Sequence, residues 1–142
     1  MKRLSLCVVV ALSSACGGTP TTPTPAIPQV AGAYVGTMTL VYPTIPRTLI
    51  CPASTSVTQS GTLVSLAPLV LAGQCGGVSV ALGQVAIDAT GSFSNQSGSL
   101  SEPCGVYDFI GSGGFFGREL RISMSTSSRT CPAFNLTAIL NR

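Results

Sequence analysis

The sequence predicts an all-β fold, a small antiparallel up-and-down β-barrel of about eight strands, with a β-sandwich as the alternative. Three observations predict it. Apolar and polar residues alternate with a period of two towards both ends of the folded part. Short apolar runs separated by Gly, Ser and Asn fill the middle, and no stretch supports a helix.

The chain opens with Met1-Lys2-Arg3, followed by an apolar run from Leu4 to Leu12. That run is roughly nine residues long, far short of the ~20 needed to cross a bilayer, and reads as an export signal over residues 1–15. It ends in Ser13-Ser14-Ala15-Cys16, which resembles the lipobox of bacterial lipoproteins. The resemblance implies diacylation of the Cys16 sulfur, followed by cleavage that leaves Cys16 as the new N-terminus. The family usually has Leu three places before the cysteine, where this chain has Ser13, so ordinary cleavage after Ala15 stays open as the alternative. Cysteine parity favours lipidation. Once Cys7 leaves with the signal, Cys16, Cys51, Cys75, Cys104 and Cys131 remain, and acylating Cys16 leaves an even set for disulfides.

Residues 16–29 follow as a Thr- and Pro-rich tether without hydrophobic periodicity, an extended spacer that at ~3.1 Å per residue reaches roughly 40 Å. Residues 30–142 form the single expected domain. By resemblance to enterobacterial sorting, Gly17 after the acylated cysteine favours the outer membrane of the cell envelope.

In the first expected strand Tyr34, Met38 and Tyr42 share a face with Gly36 and Leu40, opposite Val35, Thr37, Thr39 and Val41. Near the other end Leu120, Ile122 and Met124 oppose Glu119, Arg121 and Ser123, and Phe134, Leu136, Ala138 and Leu140 oppose Asn135, Thr137 and Asn141. Between them lie apolar runs at 57–59, 63–71, 78–82, 85–88 and 106–110. Turn signals fall at Ser60-Gly61, Gly83-Gln84, Thr90-Gly91, Ser97-Gly98 and Gly111 to Gly114, and Pro68 breaks the run that contains it.

Cys51, Cys75, Cys104 and Cys131 sit in or beside expected connections, so two disulfides are expected from them. Four cysteines allow three pairings. With the first and last strands adjacent, the favoured one is Cys51 with Cys131 and Cys75 with Cys104. They lack the close CxxC spacing of zinc sites and of reactive redox pairs. Gly32-Ala33-Tyr34 and an Arg142 beyond the last strand resemble the calycin superfamily of lipocalin- and avidin-like barrels, which carry Gly-x-Trp on the first strand and an Arg packing across the closed end. Tyr stands here for the Trp, and the resemblance implies a shape more than an activity.

Composition narrows the function classes. Lys2 and Arg3 belong to the signal, which leaves Arg47, Arg118, Arg121, Arg129 and Arg142 against Asp88, Glu102, Asp108 and Glu119. A difference of five minus four, about +1, is too small to attract nucleic acid. The domain has no His, Lys or Trp, so the commonest general base and the usual Schiff-base amine are missing. The spacing of Glu102, Asp108 and Glu119 does not suggest the paired acids of a glycoside hydrolase. The run from Gly111 to Gly117 fits no phosphate-loop pattern and reads as a hairpin loop whose Phe115-Phe116 pair is free to touch a partner.

The expectation is a non-catalytic envelope lipoprotein with no metal site and no cofactor, acting as an interaction or structural module. Its expected partners are the membrane, through the lipid on Cys16, and another envelope protein. The alternatives are a calycin-like carrier of an apolar small molecule, lined by Tyr34, Met38, Tyr42, Met124 and Phe134, and an inhibitor of a lysozyme-like enzyme. Mass spectrometry checks the disulfide count: two disulfides place the denatured, non-reduced mass about 4 Da below the reduced mass.

Overall fold

In the computed structural model, which describes residues 26–76, 79–102 and 104–142, period-two alternation becomes ten ladder segments. These are β1 (Gly32–Tyr42), β2 (Arg47–Ser60), β3 (Leu63–Leu66), β4 (Leu69–Leu71), β5 (Ser79–Val80), β6 (Gly83–Ala86), β7 (Ser92–Glu102), β8 (Gly105–Phe116), β9 (Glu119–Ser127) and β10 (Asn135–Asn141). All ladders are antiparallel, and β1 pairs with β2 on one edge and with β10 on the other, which closes the sheet into an eight-stranded barrel.

Ten segments make eight strands because two of the strands are interrupted. β3 and β4 run on along β2 with a break at Ala67-Pro68, and β5 and β6 run on along them with a break at Ala81-Leu82. Pro68 supplies no ladder donor. The gap is bridged from β2, where the Thr55 hydroxyl donates to the Ala67 carbonyl at 2.7 Å and the Ser56 carbonyl accepts from the Ala67 N–H at 2.9 Å. A single 3-10 turn at Gly73–Cys75 follows β4.

The expected alternation holds in β1, β9 and β10, where Tyr34, Met38, Leu40, Leu120, Ile122, Met124, Leu136, Ala138 and Leu140 are all buried. Three expected turns are corrected, the first being Gly83-Gln84, which opens β6 just after the break at Ala81-Leu82. Ser97-Gly98 lies inside β7, and Gly111 to Gly114 lies inside β8, so the glycine-rich run is a barrel strand and not a hairpin loop. Phe115 is buried accordingly, and only Phe116 of the pair is exposed. The physical reason is space. A Cβ on Gly98 would stand 2.8 Å from the Phe109 ring and one on Gly113 2.6 Å from the Phe93 ring, while one on Gly111 would run into Met124. The glycines leave room for side chains of neighbouring strands to lie across them, a use of glycine unrelated to turning the chain.

Aromatic clusters fill the barrel near both ends. Tyr34, Phe93 and Phe115 meet at one end, with ring centroids 5.8 and 6.2 Å apart, and Tyr42, Tyr107 and Phe134 meet at the other, at 5.2 and 5.0 Å. Such ring pairs add about 0.5–1.5 kcal/mol each beyond the area they bury. Buried hydroxyls are satisfied: Thr126 donates to the Phe134 carbonyl at 2.7 Å and accepts from the Phe134 N–H at 2.9 Å.

Gly36 marks the tightest approach of β1 to β10, because a Cβ there would collide with the Ile139 carbonyl and the Leu140 backbone. Gly36→Ala is expected to destabilise the domain by about 1–3 kcal/mol, whereas Thr37→Ala on the exposed face stays within about 0.5 kcal/mol. Urea unfolding of the two variants checks the contrast.

Candidate functional site

A meander of eight strands sends alternate connections to opposite ends of the barrel, and the two ends differ in chemistry. One end carries the connections at 43–46, 72–76, 104 and 128–134, and both disulfides. The bonds join Cys51 to Cys75 and Cys104 to Cys131, at Cα separations of 5.9 and 6.2 Å, which corrects the expected pairing of Cys51 with Cys131 and Cys75 with Cys104. The first and last strands are indeed neighbours. Cys51, however, lies within β2, so β1 stands between it and β10, while the turn bearing Cys75 directly follows β4, the neighbour of β2. Likewise Cys104 precedes β8 and Cys131 follows β9, and β8 pairs with β9. Each bond therefore closes a short ring between adjacent strands.

The other end is sealed by the chain that leads into β1. The Gln59 amide bonds this lead-in twice, donating to the Pro28 carbonyl at 2.9 Å and accepting from the Val30 N–H at 2.7 Å. The buried Tyr34 hydroxyl donates to the Val30 carbonyl at 2.8 Å. Arg142 lies across Gly32, where a Cβ would stand 2.6 Å from its Cδ, and its guanidinium donates to the carbonyls of Gln29 at 3.2 Å and Ala31 at 3.0 Å. Burial pushes the Tyr34 phenol above its ordinary value of 10, and the nearby Arg142 charge offsets part of that rise.

Tyr34, Met38, Tyr42, Met124 and Phe134, the side chains expected to line a ligand cavity, belong to one contiguous hydrophobic core. Glu119 is ion-paired with Arg121 at one end of β9, while Asp108 faces outward where β8 meets the other end of β9. Cys16, and with it the lipidation site, lies outside the described residues.

The outer surface offers recesses in three places of note. A polar pocket of about 400 Å³ sits on the disulfide-bonded rim between Val106 and Asp108 of β8 and residues 127–130. A more apolar groove of about 560 Å³ runs along the wall beside Phe116 and Ile139, where the Arg121 guanidinium lies 5.5 Å from the Phe116 ring centre. A third, of about 400 Å³, opens between the end of β6 and the start of β7, lined by Ala86, Ile87, Asp88, Ser92, Phe93, Ser94 and Gln96. Sequence periodicity gave no signal for this last recess, since residues 92–97 do not read as a strand. Compared with family models, curated proteins and solved structures, the chain matches none.

Each ring of about 25 to 28 residues contributes at most about 3.5 kcal/mol by loop entropy. Replacing Cys51 and Cys75 together by Ala is expected to leave Cys104–Cys131 intact, whereas replacing Cys51 and Cys131 leaves two free thiols, countable with a thiol reagent. The phenol gives a pH signature. Because the folded pKa is raised, Tyr34 leaves stability undiminished below the unfolded value near 10 and removes it as pH rises from there through the folded value. Denaturant midpoints above pH 10 are expected to fall less steeply in Tyr34→Phe.

Proposed function

We propose that the chain is a lipid-anchored cell-envelope lipoprotein whose barrel is a non-catalytic protein-interaction module of calycin-like shape. The observation that carries this reading is the packed interior. The five inward side chains expected to line a carrier's cavity belong to one contiguous hydrophobic core, with Phe134 in ring contact with both Tyr42 and Tyr107, which favours recognition at the outer surface. Arg142 laid across Gly32 beside Tyr34 supports the calycin-like reading of the shape.

Tether and lead-in give the module an orientation. The chain reaches β1 across the sealed end, so a lipid on Cys16 holds that end towards the membrane and presents the disulfide-bonded rim, with Ile45 and Arg129 exposed, to other envelope components. Two acyl chains on one cysteine suffice for stable anchoring. Two covalent rings then keep the presented rim folded in an oxidising compartment.

A photo-cross-linking residue at Ile45 or Arg129 of the full-length protein, irradiated in intact cells, is expected to capture the same envelope protein reproducibly. Cys16→Ala is expected to release the protein from the membrane fraction and reduce that capture. Absence of any reproducible adduct from either rim position overturns the interaction reading.

A further inference from the structure

The barrel wall is not uniformly laddered. β5 pairs with β7 at Ser79↔Ser101 and Val80↔Leu100, and the hairpin at the other end of the same two strands is closed by the Asp88 N–H donating to the Ser92 carbonyl at 3.0 Å. Both ends have the same register, the paired numbers summing to 180 in each case. Between them, among the described residues, no ladder joins β6 to β7: β6 is in register with β3 alone, and β7 over 92–97 with β8 alone.

The two strands part because both are distorted there. Gly83, where β6 begins, has φ +67, with open space around the position a Cβ would take. Diagonally across from it β7 carries a bulge between Phe93 and Gln96, with Asn95 at φ 54 the one non-glycine residue of positive φ among those described. Paired distortions of this kind open a slot pinned at both ends, and bulges in barrels commonly mark places where pairing is ended for a purpose. The Ser94 carbonyl on β7 accepts from the Gln96 side-chain amide of its own strand at 2.8 Å, a local cap that an incoming donor can replace.

We propose that the slot between β6 and β7 is the docking site for an extended segment of a partner protein, which binds by adding a strand to the wall. This rests on the interaction-module reading above and names the partner's chemistry. Strand edges without a ladder offer main-chain donors and acceptors at a spacing that another strand matches. The lining selects further. Ser92, Ser94 and Gln96 line the recess and favour hydroxyl or amide side chains on the segment. The carboxylate of Asp88 is held below its usual range by the Thr90 hydroxyl and the Ser92 amide, which fixes a negative charge at one end and favours a cation there.

Other occupants fit less well. The chain's own tether is broken by Pro20, Pro23, Pro25 and Pro28, each lacking a donor, and residues 28–31 are already bonded across the sealed end. A second copy would have to offer its own slot, and two slots pinned at both ends cannot interleave.

The test uses the full-length protein in detergent, with a phage-displayed library of random decapeptides as the probe. Selected peptides are expected to protect amides of Gly83–Ala86 and of residues 93–98 from hydrogen exchange and to lack Pro at their central positions. Ser94→Trp, which fills the slot, is expected to weaken them by roughly tenfold or more, while Thr37→Trp on the exposed face of β1, across the barrel, leaves them unchanged. Peptides that protect other residues, or that bind Ser94→Trp as well as the native protein, overturn the proposal, as does a library that yields no binder. Rim cross-linking that captures a partner while this test fails removes the slot and leaves the interaction module standing.

Discussion

Closure of the sheet by β1 is the constraint on which the rest depends. One strand of eleven residues is laddered along both edges, to β2 and to β10, and removing either ladder would leave a long open edge ready to pair with another chain. Closure sets the diameter of the interior, and the diameter sets the sizes of the side chains within it. Gly98, Gly111 and Gly113 are the positions where the wall yields, so that Phe109, Met124 and Phe93 fit inside, and Gly36 lets β1 approach the backbone of β10. The same closure turns the apolar face inward and leaves the outer face and the two ends exposed to solvent.

The ends divide the work between them. Where the chain enters, Gln59, Tyr34 and Arg142 bond its backbone and turn residues 28–31 into a lid. At the opposite end the connections are held by covalent bonds. On the proposed lipid-anchored reading the lead-in is the point that needs a firm attachment, because force along a tether would be delivered first to Val30 and Ala31. The carbonyls of both residues are anchored to side chains from elsewhere in the barrel.

What could be read in the sequence follows from which physical signal each element carries. β1, β9 and β10 have one face on the core and one on solvent, so their period is plain, and the break at Pro68 shows because proline cannot donate. β7, with the sequence SFSNQSGSLSE, is mostly hydroxyls and amides and buries few large side chains, so nothing in its composition separates it from a loop. The glycines of β8 signal a turn by propensity but serve as space for neighbours, a role visible only once Phe93 and Met124 are placed opposite them. The cysteine count was legible. The pairing was not, because it depends on whether Cys51 lies before β2 or within it, a matter of a few residues. The slot between β6 and β7 is two local distortions set diagonally across from one another, and no periodicity encodes that.

The two disulfides have a mechanical consequence. Cys51–Cys75 binds only segments of the first half of the chain and Cys104–Cys131 only segments of the second. Among the described residues, no covalent bond besides the main chain between Cys75 and Cys104 joins the halves. Their other union is through ladders, a long one between β1 and β10 and a seam of two residue pairs between β5 and β7. The domain is thus two covalently stapled leaves hinged along β1 and β10. A single cut in the turn at 87–91 would make it a split protein, with halves that hold together by hydrogen bonds and core packing alone.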